Sequence, residues 1–170
     1  RRTVKIVVRR DGSPVPDAQV ELRMNRHQFL FGCDCYCANT YDTPEKEKRH
    51  KELFSGLFNY ATLPFYWGQY EPVRGEKSEK RLSNMVEWCK SIDLSTKGHP
   101  LVWHEILPDW LNSDHDIEKL IQERIEDLME RFGDQIDYWD LFNEITVSQR
   151  FHNPVADWIE KVGKENAVEY

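Results

Sequence analysis

From Phe29 onward the sequence alternates, four times over, between a short aromatic or β-branched run and a longer amphipathic stretch. With no hairpin signal between the strand-like runs, that alternation restricts the chain to parallel strands joined by helical crossovers, an α/β architecture. The runs fall at 29–33, 59–67, 97–104 and 138–144. Helices are predicted from the Thr43-Pro44 start signal, from Ser78 to about Ile92, and from just after Ser113-Asp114 to Gly133. The first should bury Leu53, Leu57 and Phe58; the second Leu82, Met85, Cys89 and Ile92; the third Ile117, Leu120, Ile121, Ile125, Leu128 and Phe132. Asn153-Pro154 opens a further short helix that Gly163 closes, and another begins at Lys164. No Gly-rich phosphate fingerprint follows the first run, yet spacing alone leaves both a small doubly wound sheet and part of a barrel open.

Length and charge narrow the functions available. A complete eight-unit barrel needs ~250 residues, against 170 here. A net charge of −7 without a Lys/Arg-dense stripe argues against a nucleic acid or an acidic membrane as partner, since both require clustered cations. No apolar run approaches the ~20 residues of a membrane span. A neutral polymer remains compatible. The opening Arg1-Arg2, without an initiator Met or a signal-type segment, is expected of a chain processed or cut from a longer one.

Residues 1–28 read as a separate element. Val4, Ile6 and Val8 alternate with Lys5, Val7 and Arg9, Asp11-Gly12-Ser13-Pro14 makes a turn, and Ala18, Val20, Leu22 and Met24 alternate again. A β-hairpin is expected, packed on the body that follows or left over from an upstream β-sandwich. Cys33, Cys35 and Cys37 alternate along the next stretch, with Cys89 far away. This spacing fits no zinc pattern, so the thiols read as small buried fillers.

Two motifs carry more. Gly98-His99-Pro100-Leu101-Val102-Trp103-His104 is followed, one strand later, by Trp139-Asp140-Leu141-Phe142-Asn143-Glu144. Phe58-Asn59, Tyr70-Glu71-Pro72-Val73-Arg74-Gly75 and Leu107-Pro108-Asp109-Trp110 accompany them. Together they resemble glycoside hydrolase family 10, the endo-β-1,4-xylanases, over roughly residues 29–170. The resemblance implies the first half of a TIM (β/α)8 barrel, about four βα units, preceded by the hairpin. It also implies retaining hydrolysis of β-1,4 bonds in xylan or a related plant polysaccharide, without cofactor or metal, by a secreted or periplasmic protein.

In that family's pattern Glu144 is the general acid/base and Asn143 binds the 2-hydroxyl of the sugar at the cleavage point. His99 holds the 3-hydroxyl, Trp103 forms the apolar wall beneath that sugar, Trp67 is a further substrate contact, and His104 supports the site. Retention needs a second carboxyl ~5 Å away, which the family carries on a later strand, so this chain alone is expected to be inactive. An incomplete barrel would also leave strand edges open to self-association. There are departures: where the family has a Glu-Asn pair and a Lys before the Trp matched by Trp67, this chain has Thr62-Leu63 and Tyr66. Ile106 likewise replaces a frequent glutamine. These motivate an alternative, a carbohydrate-binding or interaction protein of the same fold without hydrolysis. A metal site from His99, His104 and Glu144 is conceivable by ligand type but lacks the helical His-x-x-x-His spacing.

Overall fold

The computed structural model describes residues 3–25, 28–36, 38 and 40–169. Its centre is a four-stranded sheet in the order β3 (Gly32–Asp34), β4 (Tyr60–Pro64), β5 (Ser95–His99) and β6 (Tyr138–Trp139). Every neighbouring pair is parallel. Between the strands run α1 (Pro44–Leu57), α2 (Trp67–Tyr70) with α3 (Glu79–Ser91), and α4 (Ile117–Phe132); α5 (Pro154–Val162) and α6 (Lys164–Ala167) follow β6. The four βα units of the sequence reading are all present.

The helix starts are set by capping side chains that satisfy orphan N–H groups of the first turn. Thr43 accepts from the Lys46 N–H at 3.3 Å and Asn153 from that of Ala156 at 3.0 Å, each just before a proline whose missing N–H costs nothing there. For α4, which begins after Ser113-Asp114 as expected, the cap is Asp116, accepting from the Lys119 N–H at 3.2 Å. In α1 the inward residue is Phe54, while Leu53 and Leu57 point to solvent. Phe54 sits on Phe58 and Trp88, with ring centroids 4.9 and 5.8 Å away. Aromatic contact therefore decides which face of α1 turns in.

Strand alternation divides the sheet into two faces. Ala61 and Leu63 of β4 and Thr96 and Gly98 of β5 are buried, in the same core as Leu82, Met85, Val86 and Cys89 of α3 and Leu128 and Phe132 of α4. On the opposite face stand Ser95, Lys97 and His99, all only partly covered. Gly98 is required: a Cβ there would lie 2.2 Å from the Trp139 ring, so the indole packs flat on the neighbouring strand. Phe65 fills the layer between, 4.7 Å from Trp139 and 5.2 Å from Phe132 by ring centroids.

Several expectations need correction. The N-terminal hairpin is reduced to β1 (Arg9–Arg10) and β2 (Ser13–Pro14), wrapped tightly around Asp11-Gly12. Beyond the Val15 N–H bond to the Val8 carbonyl at 2.9 Å, the longer alternating runs form no further strand among the described residues, with Val4 and Met24 about four-fifths exposed, at 79% and 78%. Alternation gave them an apolar side, but two strands present no surface wide enough to bury it. Phe29 and Phe31 are exposed too, and the first sheet strand starts later, at Gly32. Of the expected thiol fillers, Cys35 and Cys89 are buried, Cys33 is exposed, and Cys37 lies outside the described residues.

One buried cation ties the tips of two strands to a helix. Arg124 of α4 donates through Nε to the Leu101 carbonyl at 2.7 Å, and through Nη2 to the carbonyls of Phe65 and Pro100. Its guanidinium also lies over the rings of Trp67 and Tyr70, 5.3 and 5.7 Å from their centroids. Burial pushes its pKa down to about 9, against the pull of Tyr70, Glu71 and Asp127, which leaves it protonated at neutral pH. Replacing Arg124 with Met should remove about 2–4 kcal/mol of stability, since hydrogen bonds to a charged donor contribute ~1.5–3 kcal/mol and the freed carbonyls stay buried. Urea unfolding measures it; a loss below ~1 kcal/mol would show that the tips hold without the cation.

Candidate active site

Beyond their ladders β5 and β6 continue side by side. The His99–Pro100 peptide is cis. Leu101 and Val102 donate to the carbonyls of Asp140 and Leu141, and the Asn143 N–H returns to the Val102 carbonyl at 3.0 Å. This register brings the residues of the two long motifs together. The Trp103 indole N–H donates to Oε2 of Glu144 at 3.2 Å. Ring contacts then link Trp103 to Tyr66 at 5.5 Å and Tyr66 to His99 at 5.9 Å. Glu144, Trp103, Tyr66 and His99 thus form one patch at the C-terminal ends of β4, β5 and β6, where parallel barrels carry their chemistry. Asn143 is the residue before Glu144, with its backbone fixed by the bond to Val102.

Glu144 is exposed and adopts a left-handed backbone, φ 53°, at the start of a 3-10 turn. A non-glycine residue pays ~1–2 kcal/mol for that conformation. Strain of this kind persists where neighbouring structure over-determines it, and it concentrates at functional positions. Here the pairing up to Asn143 and the turn that follows give the chain no alternative, and the carboxylate is turned onto the Trp103 indole.

Below the patch lies a charge relay that the motifs do not advertise. Asp140 accepts from Nδ1 of His99 at 2.7 Å and forms an ion pair with Lys97 Nζ at 2.8 Å. Burial pushes its pKa up, but the bonds from Lys97 and His99 outweigh that and hold it below the usual carboxylate range. With Asp140 ionised, the Nδ1 proton of His99 is fixed and Nε2 is left for a ligand. Tyr36 packs edge-on to Tyr66, 5.6 Å between centroids; burial first, and then its bond to Tyr66, push the Tyr36 hydroxyl pKa up, so it stays neutral.

Two sequence-derived candidates sit elsewhere than on this patch. Trp67 opens α2 and is buried, its indole N–H committed to Glu71 at 3.2 Å and its ring against Trp110 and Arg124. It offers no open face to a sugar and instead braces the layer beneath. His104 is fully buried, its ring 4.3 Å from Phe151, and neither ring nitrogen has a hydrogen-bond partner among the described residues. Burial lowers its pKa against the opposing effect of Glu105 and Glu144. One donor atom from each of His104, Glu105 and Glu144 lies within 4.8 Å of the others. Glu105, and not His99, therefore completes the only three-residue group of this type among the described residues.

Tyr66, Asp140 and Lys97 were not singled out as site residues by sequence, although a signal exists. Thr96 and Asp137, His99 and Asp140, and Trp103 and Glu144 are partners at separations of 41 residues each. A shared offset between polar residues of two parallel strands marks their register.

The strained backbone gives a test that separates fold from chemistry. Glu144→Gly should leave the protein as stable as before or more stable by up to ~1 kcal/mol, because glycine adopts the left-handed region freely and offsets the strain. Thermal or urea unfolding reads this directly. Destabilisation beyond ~1 kcal/mol would mean that the side chain itself supports the fold.

Comparison with known proteins accords with this geometry. The glycosyl hydrolase family 10 model matches residues 25–169. Endo-1,4-beta-xylanase 2 of Arabidopsis thaliana is 24% identical over 79% of this chain and 13% of its own length. Anti-sigma-I factor RsgI6 of Acetivibrio thermocellus is 24% identical over 94% of this chain and 21% of its own. The crystal structure of xylanase 10B from Thermotoga petrophila in complex with xylobiose superposes with a TM-score of 0.62 at 20% identity, covering 76% of this chain and 40% of that one. The chain thus spans well under half the length of these relatives, and its parallel sheet and helices are part of an α/β barrel. With its motifs, its strand order and the family match in agreement, the chain belongs to glycosyl hydrolase family 10.

Proposed function

We propose that this chain supplies the acid/base half of a retaining glycoside hydrolase site acting on xylan or a closely related β-1,4-glycan. The observation that carries the reading is the placement of Glu144: at the tip of a parallel strand, held by Trp103, whose ring meets Tyr66 and through it His99. In such a reaction the acid protonates the departing glycosidic oxygen while positive charge develops at the anomeric carbon, and later takes a proton from the attacking water. Trp103 and Tyr66 offer rings to the sugar face, His99 offers Nε2 to a hydroxyl, and Asn143 an amide. The xylobiose bound in the Thermotoga petrophila relative supports xylan as substrate class.

Asp140, paired with Lys97, holds His99 in place to meet a hydroxyl of the reacting sugar. The nucleophile faces Glu144 across that sugar.

The relative named as an anti-sigma factor, 24% identical over 94% of this chain, motivates a second reading: a carbohydrate-binding or interaction protein of the same fold without hydrolysis. The aromatic Tyr66 at the mouth is compatible with both.

Glu144→Ala decides between them in the protein with its barrel complete. Xylan turnover should fall ~10²–10⁴-fold, the usual contribution of a positioned acid/base. An aryl xyloside with a good leaving group should lose far less in its first step, since that departure needs no proton. The chain of 170 residues should show no turnover of either substrate. Binding of xylo-oligosaccharide without turnover by the complete barrel would select the second reading. Hydrolysis by the chain alone that Glu144→Gln abolishes would mean that it contains its own nucleophile.

A further inference from the structure

The buried imidazole of His104 is the least explained polar group near the rim. Its side chain is fully enclosed and both nitrogens lack hydrogen-bond partners among the described residues, a costly state for a buried polar ring. Two carboxylates lie next to it. Glu105 is the following residue and half-buried; Glu144 comes from the adjacent strand tip; the three donor atoms fall within 4.8 Å of one another. Asn153 Nδ2 grips the His104 carbonyl at 2.6 Å and Trp103 holds one oxygen of Glu144, leaving the other available.

We propose that His104, Glu105 and Glu144 form a three-ligand site for a divalent transition metal, best matched by Zn²⁺. The donor set selects the ion. One imidazole and two carboxylates suit zinc, which binds such ligands at about 2.0–2.2 Å and in open sites takes three protein ligands plus water. Calcium and magnesium prefer all-oxygen shells of six or more ligands, and no thiolate is present to favour copper(I). A tetrahedral zinc needs its ligand atoms about 3.3–3.5 Å apart, which side-chain rotation of the exposed Glu144 and half-buried Glu105 can supply. The two carboxylates balance the ion's charge.

The site bears on function because Glu144 belongs to both arrangements. A zinc ion on its carboxylate occupies the lone pair that would carry the catalytic proton, so bound metal switches hydrolysis off. That consequence rests on the acid/base reading of Glu144; the binding does not.

Titration of the chelator-treated protein with Zn²⁺ by calorimetry, and with Co²⁺ by visible absorption, tests the binding without any assay of hydrolysis. One equivalent should bind, with cobalt d–d bands and no thiolate charge-transfer band. Glu105→Gln should weaken binding at least tenfold, and Cys33→Ser should leave it unchanged. Because His104→Ala empties a buried position and endangers folding, Glu105→Gln, near the surface, is the deciding variant. Absence of stoichiometric binding, indifference to Glu105→Gln, or loss on Cys33→Ser would each overturn the site. Zinc inhibition of the complete barrel, relieved by Glu105→Gln, would extend it to function. Stoichiometric binding at these ligands without inhibition would preserve the site and count against the acid/base role of Glu144.

Discussion

The arrangement at the rim depends on Arg124. Parallel strands of a barrel end in carbonyls that the ladder no longer pairs, and those at Phe65, Pro100 and Leu101 lie where water is excluded. A single guanidinium from α4 answers all three and is itself sandwiched against Trp67 and Tyr70. A buried charge without partners would be very costly, while here the partners are backbone groups that need a donor. The same bonds fix where the chain leaves β4 and β5. Tyr66 follows Phe65, and Trp103 follows the segment that Arg124 grips, so the positions of both aromatic residues descend from that cation.

From this base the site is built by register. Parallel pairing of β5 with β6 is carried past their ends by the bonds to Asp140, Leu141 and Val102, and it sets Trp103 against Glu144 and His99 against Asp140. Gly98 permits the close approach by making room for the Trp139 ring. The strained conformation at Glu144 is the last consequence: the strand must turn sharply into a 3-10 segment, and the turn falls on the carboxylate. Packing, register and strain are successive links of one chain ending at a functional group.

Much of this was legible in the sequence. The alternation of strand and helix, the caps at Thr43 and Asn153, the burial of Cys89 and the two rim motifs all follow from local patterns with clear physical causes. What escaped is non-local. Leu53 and Leu57 satisfy helical spacing as well as Phe54 does, and only the presence of Phe58 and Trp88 selects the aromatic face. The alternating residues from Val4 to Met24 have strand character, but among the described residues no third strand joins β1 and β2 to cover them. Trp67 sits in a motif stretch, yet Arg124, far along the chain, claims its ring. Nothing local marks the role of Asp140; its pairing with Lys97 and His99 comes from the register of β5 and β6, which the length of α4 and its loops sets.

A crystal structure of the protein with xylobiose tests the central claim most directly. The account predicts the glycosidic oxygen within about 3 Å of a Glu144 carboxylate oxygen, with the sugar on Trp103 and a hydroxyl on Nε2 of His99. A disaccharide seated elsewhere, or Glu144 turned away from Trp103 and the sugar, would contradict it.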